Sequence, residues 1–419
     1  MKEKLKGIYK NPMFFVFIII LIFYTPLAIY SPGESRNRGV VTAVGIDKIE
    51  GQYEVSLLTF IPTVNQSFEE QKSIISGKGE SVAQAVYRAQ IAMGRKIGLF
   101  HAKTTIVNEK LLEEDVAVHL DYLSRVASLP ENTVFVATNK TAKEVLSLSQ
   151  ISKNITGLKL EQIVGFNAEN LYVTDTSLEA FYQGYYSDVH SSIIGYLCVE
   201  EEGSKEVNAS IKKASISEDR GSDMSSQNMG QNNAGGEEKK ENLINCGKSI
   251  LIKNGKKAEV LDVDMLNAIN LLNPKSKNQI IRIKDVEKDG KKVNLNFKVQ
   301  EKQVIKTSKF ENGNPIFIAK INLGINLVEV EGAEEDLKLN TEFSDIDREV
   351  ENKLNNEIKK QFSDAINLLK THSADVIEIN RQFFTNNRKE YLKFIHFNGG
   401  AENFLKNVTF KLIVSVEPD

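Results

Sequence analysis

Hydrophobic positions fall into three regimes along this chain. The first is one long run without a charged residue, residues 13–30 (MFFVFIIILIFYTPLAIY). The second is a series of short alternating and helix-periodic stretches. Residues 40–46 and 53–61 read as two β-rich strands around a polar turn containing Gly51, an antiparallel hairpin. Gly77, Lys78 and Gly79 read as a turn, after which Glu80 and Ser81 open a helix. Its apolar stripe is Val82, Ala85, Val86, Ala89 and Met93, and Gly94 ends it. Residues 99–107 alternate like a strand. Residues 109–124 repeat like a helix through Leu111, Leu112, Val116, Leu120 and Leu123. A strand at 133–138 precedes a helix whose start, Thr141 with Glu144 three residues on, is a capping box.

The third regime is polar. Residues 200–243 are rich in Ser, Gly, Asn, Gln and charge, and such a segment buries too little surface to offset its ordering entropy. It predicts a disordered linker or long loop that splits the chain in two. Beyond it come a strand at 245–253, a turn at Asn254 and Gly255, a short helix at 264–272 and strands at 279–284 and 292–301. A long alternating strand, 316–331, leads to the cleanest helical stripe of the chain: Val350, Leu354, Ile358, Phe362, Ile366 and Leu369. A second helix at 376–395 and a closing strand at 407–416 complete an α+β unit with helices laid on an antiparallel sheet. The fold class expected is therefore α+β and multi-domain, with antiparallel or mixed sheets, helices packed on one face and an N-terminal transmembrane helix. The expected boundaries are a cytoplasmic basic tail at 1–12, an anchor or uncleaved signal at 13–30, an N-terminal domain at 38–199, the linker at 200–243, a small middle domain at 244–315 and a C-terminal domain at 316–419.

Charge gives the first run a direction. Lys2, Lys4, Lys6 and Lys10 precede it against a single Glu3, so the rest of the chain is expected outside the cytoplasm. Eighteen residues at helical rise span about 27 Å, enough to cross the hydrocarbon core. The exit, with bulky Ile29 and Tyr30 beside Ala28, is a poor cleavage site, which favours an uncleaved anchor over a cleaved signal or a buried core helix.

Composition narrows the chemistry. A formal net charge of −3 argues against nucleic acid as a partner. Cys198 and Cys246 do not make a disulfide scaffold; two buried free thiols are preferred over a pair. The five histidines lack metal-site spacing, and His101 reads as a strand residue. No nucleophile elbow or P-loop occurs, and the glycine corner at 77–81 is a weak anion site at best. No catalytic, cofactor-binding or metal-binding residue is assigned, no cofactor is expected, and an enzyme is not.

Three patches together resemble one family. Val40 to Lys48 (VVTAVGIDK) followed by Tyr53-Glu54-Val55 is similar to an opening strand that ends in a Gly-x-Asp-Lys turn. Gly77-Lys78-Gly79 and Ser81 lead through a helix to GLFHAKTTIV at 98–107, and GKSILIKNGK at 247–256 follows the variable stretch. In that order they resemble the Ger(x)C proteins, the C subunits of spore germinant receptors. The resemblance implies a three-domain, non-enzymatic α+β protein on the outer face of the inner spore membrane. It would work beside a polytopic A-type and a transporter-like B-type subunit, in receptor assembly or signal coupling. Members carry a lipobox cysteine; the corresponding position here falls at Ile29 or Tyr30, so the expected attachment is a single-pass helix rather than a lipid. The alternative is a membrane-tethered extracytoplasmic hydrolase or a solute-binding module.

Overall fold

The computed structural model describes residues 38–60, 72–151, 176–201, 242–274, 276, 279–288, 291–331 and 348–418, together with Val16 and residues 18–20. The expected anchor and the body of the expected linker lie otherwise outside the described residues. Among the described residues, no helix is long and apolar enough to cross a membrane.

The first sheet begins as the alternation predicts. Strands β1 (Arg38–Ile49) and β2 (Gln52–Phe60) pair antiparallel around Glu50 and Gly51, which both adopt positive φ (51° and 80°), the geometry of a tight two-residue hairpin turn. Strand β3 (Lys72–Gly79) then pairs antiparallel with β2, placing Gly77 opposite Val55 and Gly79 opposite Tyr53. The glycines expected in a turn are thus the end of a strand. They are glycine because helix α1 (Val82–Met93) lies directly on them: a Cβ on Gly77 would stand 2.1 Å from the Ala85 carbonyl oxygen and 2.4 Å from the Ala89 nitrogen. Ser81 caps α1 and Gly94 closes it at φ 66°, as the pattern indicates.

Residues 99–107 are not one strand. Strands β4 (Lys96–Gly98) and β5 (Thr104–Asn108) both run parallel to β1, separated by a turn that Ala102 closes by donating to the Leu99 carbonyl. His101 sits exposed in that turn rather than in a strand. The helix expected at 109–124 is also divided. A 3-10 turn (Glu109–Glu113) is capped by Asn108, and α2 (Val116–Arg125) starts afresh because the Asp115 carboxylate accepts from Ala117 N at 3.1 Å. Strands β6 (Val134–Thr138) and β7 (Ser191–Glu201) extend the parallel run, with α3 (Ala142–Ile151) and α4 (Leu178–Tyr185) following β6. Parallel strands buried on both faces read as continuous apolar runs. Accordingly Val44, Ile46, Phe135 and Ala137 pack against α1, α2 and α4, while Ala43, Ile106 and Val136 pack against Ala142, Val145 and Leu146 of α3. Helices therefore cover both faces of this sheet, not one.

The largest departure concerns the polar segment. Strand β8 (Asn242–Lys253) pairs antiparallel with β7, and its first residue, Asn242, is the register partner of Glu201. Strand β9 (Lys256–Leu261) adds to β8, giving the order β3-β2-β1-β5-β6-β7-β8-β9. Residues 202–241 thus connect the adjacent ends of two paired strands, and the division between the two sheets does not fall at this segment. The strands expected in a middle domain at 244–315 are shared out: β8 and β9 join the first sheet, and β10 (Ile280–Lys288) and β11 (Lys291–Glu311) join the second. The alternation of a strand identifies its faces but not its neighbour, so this assignment was invisible in the pattern.

The second sheet runs β10-β11-β12-β13, with β12 (Asn314–Glu331) and β13 (Thr409–Pro418) parallel where an antiparallel closing strand was expected. Helix α5 (Val263–Asn270) precedes this sheet, and α6 (Arg348–Thr371) buries its predicted stripe on the face that carries Phe317, Ala319, Ile321 and Leu323. The helix expected at 376–395 is two: α7 (Ile379–Asn386) and α8 (Arg388–Phe397). The break at Asn387 is held by Ser308, which donates to its side chain at 2.9 Å. A last turn, Phe404–Asn407, leads into β13. Ile193, Leu251 and Leu261 from the first sheet share one apolar cluster with the second sheet's helices.

Candidate functional site

The family-like residues of β1 converge on one end of the first sheet, where they build structure. Asp47 is 1% exposed and its carboxylate accepts from Ala142 N at 2.7 Å and Lys143 N at 3.1 Å, capping α3 from a strand 95 residues away in sequence. Beside it Lys143 Nζ donates to Glu54 at 2.5 Å, and Lys78 approaches the same carboxylate at 3.8 Å. Burial raises the Asp47 carboxyl to about 6, against the two N–H donors that favour its charged form and with Glu54 and Glu144 adding repulsion. In the unfolded chain the group titrates near the ordinary aspartate value, about 4. Its contribution is therefore complete below the unfolded value and is lost as pH rises through the folded one. Asp47→Asn removes this titration. The wild type is expected to lose stability relative to Asp47→Asn between about pH 4 and 6, measured by urea denaturation at each pH; a constant difference would contradict the assignment. Asp47→Ala leaves both donors unpaired and is expected to cost about 2–3 kcal/mol.

A second group lies at the hairpin end. Lys48 Nζ donates to both Glu114 oxygens at 2.7 and 2.8 Å, Tyr53 Oη and His119 Nδ1 are 2.8 Å apart, and His119 Nε2 stands 3.4 Å from Glu114. His119 is 3% exposed and its burial lowers the imidazole pKa, opposed by Glu114. The third patch joins this end too. Val116 N donates to the Gly255 carbonyl at 2.9 Å, and the Tyr185 hydroxyl donates to Asp115 at 2.7 Å. A Cβ on Gly255 would fall 1.9 Å from Asp115 Oδ1, so this hairpin tip is glycine by contact as well as by its φ of 74°. At the helix start Ser81 Oγ accepts from Gln84 N and the Gln84 side chain accepts from Glu80 N, a reciprocal cap.

The structure shows one feature the pattern did not single out. Between α2 and α4 lies an open groove of about 620 Å³ lined by Asp121, Arg125, Glu131, Glu179, Tyr182 and Tyr186. Tyr182 and Tyr186 stack at 5.8 Å with their rings 17° apart, and Tyr186 is 74% exposed. Arg125 is engaged by Asp121 at 2.8 Å, which leaves Glu131 and Glu179 as excess negative charge. The signal was the aromatic run FYQGYY at 181–186, whose 4-residue spacing sets Tyr182 over Tyr186. In the second unit, Lys302 donates to the Asn270 carbonyl at 3.0 Å, to Gln279 at 3.3 Å and to Ser276. All three acceptors are neutral, and burial pulls this ammonium down to about 7.

Cys198 is half-buried on β7, opposite Asn245, and the Cys246 side chain lies outside the described residues. Among the described residues no group of three or more His, Cys, Asp or Glu is arranged to hold a metal ion.

Comparison with known proteins agrees with this arrangement. Residues 33–198 match the spore germination protein N-terminal domain, and residues 247–417 match the spore germination B3/GerAC-like C-terminal domain. No curated protein matches the chain. The crystal structure of the GerBC protein is similar in fold, with a TM-score of 0.50 at 12% identity over 89% of this chain and 96% of that one. Both family matches, in order along the chain, and the similar fold agree: the chain belongs to the Ger(x)C family, the germinant receptor C subunits of spore germination.

Proposed function

We propose that this chain is a non-enzymatic, membrane-tethered subunit of a nutrient germinant receptor that works by contact with its partner subunits. The observation that carries this is the pair of family matches, which together cover both sheets in order. The site geometry supports it. The polar residues that converge on the first sheet cap helices and tie hairpins, as Asp47, Glu54 and Asp115 do. The partners expected are a polytopic A-type and a transporter-like B-type subunit.

The surface best suited to a partner subunit is the groove between α2 and α4. Interfaces favour tyrosine, and the exposed Val118 and Val126 lie on or beside the same helix. Residues 13–30 supply the tether in this reading. Intact mass of the purified chain should include them without added lipid; a mature terminus near residues 29–31 would refute the tether.

Deleting the gene in a strain without a redundant receptor is expected to abolish germination on the receptor's nutrient while leaving spore formation intact. Normal nutrient germination would sink the proposal.

A further inference from the structure

Helix α8 carries positive charge outward in a chain whose formal net charge is −3. At 100° per residue, Tyr391, Phe394 and Ile395 fall on the side that packs against the core. Lys389, Lys393 and His396 form an exposed stripe on the opposite side, with Leu392 on one flank and Phe397 on the other. Phe397 is 74% exposed, Leu392 44%, and Phe384 of the adjoining α7 41%. The Arg388 guanidinium lies over the Phe384 ring at 5.0 Å. Opposing charge is sparse. Glu390 is the one acidic residue of α8, and Glu378, just before α7, is engaged by Arg381 at 3.2 Å. Arg388, Lys389 and Lys393 against Glu390 leave the helix a net charge of +2 before His396 is counted.

Large apolar side chains held in water beside a row of lysines match an interfacial helix face. The rings and the leucine enter the acyl boundary while the flexible ammonium groups reach headgroup phosphates. A uniformly anionic surface also suits cations spaced along a whole helix side, without the point-by-point complementarity that a protein partner requires. We propose that the exposed face of α8, with Phe384 and Arg388, docks on the anionic headgroups of the bilayer that the N-terminal segment enters. This rests on the membrane-tethered reading, and the two can fail separately.

The chain contains no tryptophan, so Phe397→Trp introduces a single emitter. The full-length variant is reconstituted into phosphatidylcholine–phosphatidylglycerol vesicles containing doxyl-labelled lipid. A Tyr87→Trp variant, at a position 62% exposed on α1, reports bystander quenching. The expected result is blue-shifted, lipid-quenched emission for Phe397→Trp and not for Tyr87→Trp. Adding Lys389→Gln and Lys393→Gln should weaken that docking roughly 30-fold. A chain that floats with the vesicles while both emitters stay unquenched would overturn the inference and leave the tether standing. A chain that does not float would overturn the tether and the docking together. Equal quenching in pure phosphatidylcholine, unchanged by the lysine substitutions, would overturn the assignment to anionic headgroups. Quenching that appears only when a receptor subunit is co-reconstituted would overturn it in favour of a protein partner.

Discussion

Gly77→Ala is expected to destabilise the first sheet by about 3 kcal/mol or more. The added methyl would meet the Ala85 carbonyl oxygen at 2.1 Å and the Ala89 nitrogen at 2.4 Å, both backbone atoms of α1. No rotamer change relieves a clash with backbone, so the helix itself must lift away from β3 and give up the burial of Val82, Ala85, Val86 and Ala89. Gly45→Ala is the matched comparison. Its methyl would meet Leu146 Cδ1 at 3.1 Å, which can turn away, and the fixed Ala142 Cβ at 2.9 Å, which needs a small shift of α3, at a cost of about 1–2 kcal/mol. Urea denaturation of the two variants should separate them clearly. Equal losses would show that α1 does not press on β3 as closely as the contacts require.

Replacing residues 202–241 with a four-residue turn is expected to raise stability by about 2 kcal/mol, because closing a connection of about 40 residues costs that much more than closing one of about 4. The reason is the register of β7 and β8: Glu201 and Asn242 face each other, so a short turn spans the gap without moving either strand. The increase corresponds to a rise of about 4–8 °C in the Tm of a unit of this size. Scanning calorimetry of the shortened chain reads it directly. A fall in Tm would mean that the segment contributes packing its composition does not suggest.

These two cases mark where the sequence was readable. The β1–β2 hairpin, the Ser81-to-Gly94 helix, the Thr141 capping box and the Val350-to-Leu369 stripe were all legible, because each is set by contacts within a few residues. The glycines at 77 and 79 were recognised as special but placed in a turn. Their role comes from a helix laid across them, which nothing in local periodicity reveals. Breaks inside apparent helices had the same origin. Asp115 and Asn387 interrupt an apolar rhythm because their side chains bind α2 and Ser308, and the rhythm alone runs through both.

Strand neighbours were the least readable feature. A polar stretch of low complexity marks a domain boundary as readily as a hairpin loop, and only the pairing of Glu201 with Asn242 decides between them. The family resemblance was legible from three patches, and the structure shows what they have in common. Asp47, Gly77 and Gly255 each sit where one element touches another distant in sequence. The groove at Tyr182 and Tyr186 escaped notice because it forms between α2 and α4, which are joined through β6 and α3.

In the proposed function this chain acts by standing in a complex with other receptor subunits. Affinity purification of the tagged full-length chain from detergent-solubilised spore membranes tests it most directly, with mass spectrometry of what travels with it. A polytopic subunit and a transporter-like subunit are expected in comparable amounts, both reduced when Tyr182 and Tyr186 are replaced by alanine. Recovery of the chain without either subunit, from membranes that contain both, would contradict it.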